Sequence, residues 1–155
     1  MKLKTYLFLF IISFLLLSCS KKEIKKSVIN EKSLDLQVYE AYLEGKESLE
    51  SGDVIYAAKK FNEAEILFPQ SDWAPKAALM AAYSYYIQDY YGDAIAELIR
   101  FNRVYPKHQS LDYANYLLAI CYYEQIVDEK KDLKSINNAK DTFLLVINNF
   151  PNSEY

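Results

Sequence analysis

The sequence predicts an all-α protein in which three helical hairpins stack into a solenoid. From Leu34 onward the apolar residues follow a helical period, with little of the alternation typical of strands. Three aromatic-Pro pairs stand 37 and 45 residues apart and end in Pro69, Pro106 and Pro151. Three alanines recur at the same separations, at Ala57, Ala94 and Ala139. A lone hairpin cannot bury its apolar face, so the units are expected to stack with a concave side.

Six helices are predicted, with short turn and loop sequences between them. Gly52 and Asp53 supply a stop and an N-cap between the first two helices. Each aromatic-Pro pair ends a later helix and is followed by polar capping candidates. The predicted helices cover residues 34–51, 54–68, 72–88, 91–105, 110–128 and 133–149. Within the region 34–155 they form three units, at about 34–70, 71–107 and 108–151.

The second helix of each unit repeats a small residue, a larger apolar residue four positions on, a third apolar residue and a proline. These positions hold Ala57, Phe61, Ala64 and Pro69, then Ala94, Leu98, Phe101 and Pro106, then Ala139, Phe143, Val146 and Pro151. The offsets resemble the tetratricopeptide pattern, which implies a tetratricopeptide-like solenoid of three repeats. In the first helices, Gly45, Ala82 and Ala119 stand at that pattern's Gly position. Small residues on facing surfaces let two backbones approach; an irregular helical bundle is the alternative.

The third unit carries eight extra residues at 126–133, most of them charged. This insert is expected to lengthen both flanking helices or to form a projecting loop. The last six residues, 150–155, repeat the aromatic-Pro loop sequence that opens units two and three. Because a solenoid normally ends in a polar capping helix, we expect a truncated sequence with a further helix after Tyr155. A natural end that borrows a partner's helix is the alternative.

Residues 1–18 are predicted to be a signal peptide. Lys2 and Lys4 precede an apolar core of about 11 residues, which suits a signal peptide and is too short for a membrane span. The core ends in Leu16-Leu17-Ser18-Cys19, which resembles the bacterial lipobox. In lipoproteins with that motif the Cys receives a diacylglycerol on sulfur and, after cleavage, an acyl chain on its amino terminus. The resemblance implies Cys19 as the lipidation site; an ordinary secretory signal or an uncleaved anchor is the alternative.

Cleavage before Cys19 leaves 137 residues with 16 basic and 21 acidic side chains, a net charge of −5. Several acyl chains give stable anchoring where one would be marginal. Ser20 stands where Asp commonly signals inner-membrane retention in Gram-negative lipoproteins, so the resemblance implies the periplasmic face of the outer membrane. Residues 19–33 are interpreted as the lipidated Cys and a flexible, Lys-rich tether.

Composition and motifs exclude several other functions. The net charge of −3 over the whole chain leaves no basic excess for phosphate neutralisation, so nucleic acid is not an expected partner. No phosphate loop, nucleophile elbow or catalytic set of residues is present, so the chain is predicted not to be an enzyme. His108 and one lipid-free Cys cannot make a zinc site, and no cofactor is expected besides the lipid on Cys19. Cys121 is interpreted as a buried small hydrophobe, and His108 as a surface or capping residue.

Tyrosine is unusually frequent, with 15 residues, and many of them form a stripe along the first helices. In each unit four residues follow one another at spacings of three, four and three, which keeps them on one helical face. The stripe consists of Tyr39, Tyr42, Lys46 and Leu49, then Lys76, Leu79, Tyr83 and Tyr86, then Tyr113, Tyr116, Ile120 and Tyr123. It lies roughly 115° around the helix from the small residues that pack the hairpin. In tetratricopeptide proteins the corresponding face lines the concave groove.

The stripe therefore predicts a peptide-binding groove that carries seven tyrosines, with Lys46 and Lys76 toward the end formed by units one and two. Tyrosine offers a large, rigid contact area at low entropy cost and a polar tip for backbone groups. Lysine could pair with a carboxylate, including the C-terminus of a peptide. The alternative is that some of these tyrosines pack between adjacent repeats.

Several segments together resemble the BamD family, the repeat lipoproteins of the outer-membrane β-barrel assembly machine. They are Tyr39-x2-Tyr42-x2-Gly45, Tyr56-Ala57-Ala58-Lys59-Lys60-Phe61, Phe68-Pro69-x-Ser71-x2-Ala74-Pro75-x-Ala77, and Arg100-Phe101-x3-Tyr105-Pro106-x-His108-x2-Leu111-Asp112-Tyr113-x2-Tyr116. The insert in unit three follows the last of them. In that family five repeats form two halves. The first half receives unfolded barrel proteins and their aromatic-rich C-terminal strand, and the second docks on the barrel-forming BamA subunit.

The resemblance implies an outer-membrane adaptor whose three repeats correspond to the substrate-receiving half. The implied partners are unfolded outer-membrane β-barrel proteins, a BamA-like barrel subunit and the other lipoproteins of the machine. Two alternatives remain at this point. One is another periplasmic tetratricopeptide scaffold lipoprotein, linked to pilus assembly or cell division. The other is the repeat region of an enzyme whose catalytic domain lies beyond Tyr155.

Overall fold

The computed structural model describes residues 33–128 and 132–155, which form six α-helices and no strand. This confirms the predicted all-α fold class. The helices are α1 (Leu34–Glu50), α2 (Val54–Leu67), α3 (Ala74–Tyr86), α4 (Tyr91–Val104), α5 (Leu111–Glu124) and α6 (Leu133–Asn149). Each helix packs mainly against the next one in the chain, as in stacked hairpins. The predicted signal peptide, Cys19 and the tether up to residue 32 lie outside the described residues.

Local capping sets the ends of the first hairpin, and the stop at Gly52 and the N-cap at Asp53 were predicted from the sequence. The hydroxyl of Ser33 accepts a hydrogen bond from the Leu36 N–H at 3.3 Å and starts α1. Gly52 has a φ of +88°, a left-handed conformation that only glycine adopts without strain, and it turns the chain after α1. The carboxylate of Asp53 then accepts the Tyr56 N–H at 3.1 Å and starts α2.

The middle helix α3 is shorter than the predicted span of 72–88. Pro75 stands in its first turn, where the missing N–H costs no intrahelical hydrogen bond. The hydroxyl of Ser71 accepts the Ala74 N–H at 3.2 Å, so the preceding residues form a turn. The helix stops at Tyr86 because the chain turns through Asp89, which has a φ of 61°.

The insert in the third unit leaves α5 with 14 residues, one more than the corresponding α3 and three fewer than α1. The predicted span of 110–128 is wrong at its end, since α5 stops at Glu124. The carboxylate of Asp132 accepts the N–H groups of Val127 and Asp128, both at 2.9 Å, which holds this stretch in a loop. By contrast, α6 has 17 residues against 14 in α2 and α4.

The buried side chains form two clusters that meet at α3. The first cluster joins α1 and α2 to Ala77 and Ala81, and the second joins α4 and α5 to Ala78 and Ala82. All four alanines are fully buried. Because α3 contributes to both clusters, it needs small residues on two of its sides, which explains its alanine content. None of the helices in the described residues is both long and apolar enough to cross a membrane.

The small residues allow the close helix approach that the sequence predicted. A Cβ atom at Gly45 would lie 2.9 Å from two ring carbons of Phe61, so only glycine fits opposite this buried ring. Cys121 is fully buried in the second cluster, which confirms its interpretation as a small hydrophobe. Burial also raises the pKa of its thiol to about 12, so the reactive thiolate is disfavoured.

A buried ion pair joins the second helices of the first two hairpins. Arg100 on α4 donates two hydrogen bonds to the Glu65 carboxylate on α2, at 2.8 and 2.6 Å. The hydroxyl of Tyr105 donates to the same carboxylate at 2.7 Å, and Glu97 accepts from the Arg100 Nε at 2.8 Å. The hydrogen bonds to Glu65 raise the pKa of Arg100 above its ordinary value. This contact was not predicted from the sequence.

Candidate functional site

A cavity of about 480 Å³ lies against the first helices of all three hairpins. We call it the tyrosine cavity. Its walls combine tyrosine rings, two aliphatic or thioether side chains and one lysine. The lining residues are Tyr42 from α1, Lys76, Leu79, Met80 and Tyr83 from α3, Tyr113 from α5, and Tyr155 after α6. Four of the tyrosines and lysines in the predicted stripe therefore line the same cavity: Tyr42, Lys76, Tyr83 and Tyr113.

One side of the tyrosine cavity is formed by the aromatic residues of the first hairpin. The Tyr42 ring lies 5.3 Å from the buried Phe61 ring and 5.0 Å from the Trp73 ring, between centroids. Tyr39, which is largely exposed, contacts Trp73 edge-on at 5.5 Å. The ammonium of Lys76 lies 5.0 Å from the Trp73 ring centroid, within the range of a cation–π contact.

The opposite side is formed by α5 and the residues that follow α6. The Tyr155 ring lies 5.1 Å from the Tyr113 ring and stacks on the Tyr116 ring at 5.4 Å. The hydroxyl of Ser153 donates a hydrogen bond of 2.8 Å to the Asp112 carboxylate, which holds the segment against the start of α5. Tyr116 therefore contacts the lining residue Tyr155 but does not itself line the cavity.

Three tyrosines of this region, Tyr42, Tyr86 and Tyr113, have a pKa above the ordinary value of tyrosine. Burial raises the pKa of Tyr42 and Tyr86, and it raises the pKa of Tyr113 to about 12. At neutral pH these hydroxyl groups are therefore protonated and able to donate a hydrogen bond. A row of neutral donors beside one ammonium group suits the carbonyl oxygens and carboxylates of a peptide better than it suits a cation.

Three stripe residues lie elsewhere. Tyr86 packs at 6.3 Å from Tyr83 but does not line the tyrosine cavity. Tyr123 is more than half exposed and lines a separate pocket together with Glu124, Ile126, Val127 and Ile136. Lys46 is exposed and lies 3.8 Å from Glu50 in an ion pair one turn along α1. The tyrosine cavity thus covers only part of the helix face that the stripe predicts as a groove.

Three residues that line or adjoin the cavity were not predicted from the sequence: Trp73, Met80 and Tyr155. Met80 lies one position beyond the stripe. Trp73 and Tyr155 lie in loops, where helical periodicity gives no signal. One signal was available, because both residues follow a proline by four positions, after Pro69 and Pro151 respectively.

His108 and the acidic residues contribute no metal site to the described part of the chain. His108 packs edge-on against Phe101 at 5.7 Å, and its Nδ1 accepts the Ser110 N–H at 3.2 Å. Its role is thus structural, at the start of α5. In residues 33–128 and 132–155, no three His, Cys, Asp or Glu side chains lie close enough together to hold a metal ion.

Comparisons with known proteins match nearly all of the helical region. The family model YfiO, described as "Outer membrane lipoprotein", matches residues 34–155. The outer membrane protein assembly factor BamD of Caulobacter vibrioides is 35% identical over 137 residues, 88% of this chain and 44% of the relative. The protein of that name from Rickettsia prowazekii is 31% identical over 147 residues, covering 95% and 56%. The one from Neisseria meningitidis serogroup B is 30% identical over 131 residues, covering 78% and 49%. The chain spans about half the length of these relatives.

Proposed function

This chain belongs to the YfiO family of outer membrane lipoproteins, and on that premise we propose that it is a non-enzymatic assembly factor for outer-membrane β-barrel proteins. The family match confirms the resemblance stated from the sequence. The curated relatives carry the name of outer membrane protein assembly factors, which supports the proposal. The proposed partners are unfolded barrel proteins, a BamA-like barrel subunit and the other lipoproteins of the assembly machine.

The tyrosine cavity is the observation that supports substrate binding most directly. An extended chain that crosses the first helices of the three units would meet Tyr42, Tyr83 and Tyr113 in turn. Aromatic side chains of the substrate can pack on these rings, and the protonated phenols can donate hydrogen bonds to its backbone carbonyls. The exposed Lys76 can pair with a carboxylate of the substrate. Such contacts bind a chain without catalysing a reaction, as an adaptor requires.

The lipid anchor completes the proposal. Acyl chains on Cys19 would fix the amino terminus at the periplasmic face of the outer membrane, and residues 19–33 would tether the helical region to it. The helical region would then hold an unfolded chain close to the bilayer into which the chain inserts. The tether limits the distance between the membrane surface and the start of α1 to the length of about 14 residues, roughly 45 Å when fully extended.

Substrate binding can be tested with a fluorescent peptide that carries the C-terminal strand of a barrel protein. We expect Tyr83→Leu combined with Tyr113→Leu to weaken binding by at least about tenfold, since buried aromatic residues dominate such interfaces. Leucine keeps an apolar side chain for packing, and circular dichroism checks the fold. Tyr123→Leu is the matched control, because Tyr123 belongs to the same stripe but lies outside the tyrosine cavity. Equal affinities for all three proteins would refute substrate binding at this cavity.

Anchoring requires a separate test in bacterial cells. Cys19→Ala should leave the protein without acyl chains and move it from the membrane fraction to the soluble periplasmic fraction. Metabolic labelling with a palmitate analogue should mark the parent protein and not the variant. Membrane retention of an unlabelled Cys19→Ala protein would contradict lipid anchoring at this residue.

A further inference from the structure

Polar contacts close the seam between α2 and α4, the second helices of the first two units. The side-chain amide of Asn62 on α2 donates a hydrogen bond of 3.3 Å to Glu97 on α4. One turn further along both helices, Arg100 donates two hydrogen bonds to Glu65, at 2.8 and 2.6 Å. We call this line of contacts the first seam. All four side chains are buried or half-buried, so the first seam offers little free surface to another protein.

The second seam, between α4 and α6, lacks these polar links. The repeat separations of 37 and 45 residues assign its equivalent positions to Ile99, Asn102, Thr142 and Leu145. Asn102 pairs with an asparagine of α5 at 2.9 Å, and the Thr142 hydroxyl donates to a backbone carbonyl of its own helix at 2.7 Å. Ile99 and Leu145 are 48% and 38% exposed. Thus none of these four described side chains makes a hydrogen bond or ion pair across the second seam.

A cavity of about 470 Å³ opens in the second seam, and we call it the seam cavity. Ile95 and Ile99 of α4 and Tyr122 of α5 supply its apolar lining, and Lys134 of α6 is the one charged residue in that lining. Gly92 also lines it, although a Cβ atom there would meet no atom within 4 Å and its φ lies outside the left-handed region. The absent side chain leaves room for the close approach of another backbone.

We propose that the second seam binds an amphipathic helix of a partner protein, which packs apolar side chains on Ile95 and Ile99 and places an acidic side chain near Lys134. The two isoleucines stand one turn apart on α4, and apolar residues three or four positions apart on a second helix match that spacing. A helix also satisfies its own backbone hydrogen bonds, whereas an extended chain would need backbone partners that the helices α4 and α6 do not offer.

Charge complementarity favours an acidic helix over a basic one. Lys134 is exposed and forms no ion pair with any described carboxylate. A carboxylate of the partner can therefore approach its ammonium without displacing an existing contact. The seam cavity and the tyrosine cavity share no lining residue, so this inference goes beyond the proposed function and does not depend on it.

Photo-crosslinking in bacterial cells identifies the occupant. In the full-length protein, p-benzoylphenylalanine replaces Ser135, which lines the seam cavity, and mass spectrometry locates the crosslinked residue of the partner. The same replacement at Lys140 is the control, because Lys140 is exposed on α6 and does not line the cavity. We expect a crosslink from position 135 alone, to a segment with apolar residues three or four positions apart beside an aspartate or glutamate.

Two variants test whether the cavity itself binds this segment. Gly92→Leu fills the cavity, and Ala96→Leu places the same side chain at an exposed position of α4 outside it. We expect Gly92→Leu to reduce the crosslink at least about fivefold and Ala96→Leu to leave it unchanged, with circular dichroism as the check on folding.

The crosslinked segment is then synthesised as a labelled peptide, and its affinity for the full-length protein in lipid nanodiscs is measured by fluorescence anisotropy, with empty nanodiscs as the blank. Lys134→Glu, which leaves the cavity open, should weaken binding about fivefold, and a lysine in place of the acidic residue of the peptide should restore it. A crosslink only to lipid, to a second copy of this chain or to an extended barrel protein would overturn the proposal. So would the absence of a crosslink from position 135, equal crosslinks in Gly92→Leu and Ala96→Leu, or an affinity that Lys134→Glu does not change.

Discussion

Removing the guanidinium of Arg100 should destabilise the chain far more than the loss of an ordinary surface charge. The side chain of Glu65 is only 7% exposed, whereas that of Arg100 is 31% exposed. In Arg100→Met the apolar stem remains, but the carboxylate loses both hydrogen bonds from arginine and keeps the one from Tyr105. An ionised group would then be left buried without its counter-charge.

The expected cost follows from this geometry. Removing one partner of a fully buried ion pair costs about 3–5 kcal/mol, because the other charge stays desolvated. The partial exposure of Arg100 lets water reach the carboxylate, so we expect about 2–3 kcal/mol for Arg100→Met. For a domain of this size that loss corresponds to a decrease in Tm of roughly 10 °C. Glu65→Gln added to Arg100→Met should restore most of the stability, since the amide is neutral and still accepts from Tyr105.

Urea unfolding followed by circular dichroism measures these differences. Arg103→Met is the matched control, because Arg103 lies on the same helix and is exposed; we expect a change within about 0.5 kcal/mol. Because stacked hairpins need not unfold in one step, the m value is compared as well as the midpoint. The reasoning is refuted if Arg100→Met is as stable as Arg103→Met, or if Glu65→Gln brings no recovery.

Two further predictions concern the helix packing and the tyrosines. Gly45→Ala should destabilise the chain by about 1–3 kcal/mol in thermal unfolding, since the new methyl group would lie 2.9 Å from the Phe61 ring. In the control Gly92→Ala the methyl group meets no atom within 4 Å, so this variant should be neutral or stabilising. A similar loss of stability in both variants would contradict the packing argument. The pKa of Tyr113 rises from 10.0 to about 12, so the folded chain retains a proton that the unfolded chain loses; stability is therefore complete below pH 10 and is lost as the pH rises toward 12. Tyr113→Phe should move this alkaline loss to higher pH in a circular dichroism titration, and an unchanged midpoint would show that another group controls it.

The helices could be predicted from the sequence because their signals are local. The caps at Ser33, Gly52 and Asp53 act within a few residues, and the hairpin packing follows from repeated small residues. The end of α5 was predicted four residues too late, since the apolar pattern continues through Ile126 and Val127 while Asp132 binds the loop backbone. Competition between a helical pattern and a side chain several residues away cannot be evaluated from periodicity.

The candidate site was predictable only in part. Helical spacing assigns residues to a face, and Tyr42, Lys76, Tyr83 and Tyr113 from that face line the cavity. It does not show which part of that face is open, because the openings depend on loop residues such as Tyr155. The pairing of Glu65 with Arg100 was also inaccessible, since 35 positions separate the two residues and either charge alone resembles a solvated one.

The alanines of α3 affect the distance between the two sides of the tyrosine cavity. Methyl groups on two sides of this helix bring both neighbouring hairpins near to it, so α3 determines the step from one unit to the next. Tyr42 and Tyr113 stand on opposite sides of that step. A ligand that touches both rings must match a distance fixed by methyl-sized side chains in the core. Enlarging one of these alanines would therefore change the distance between the two rings, even though no alanine lines the cavity.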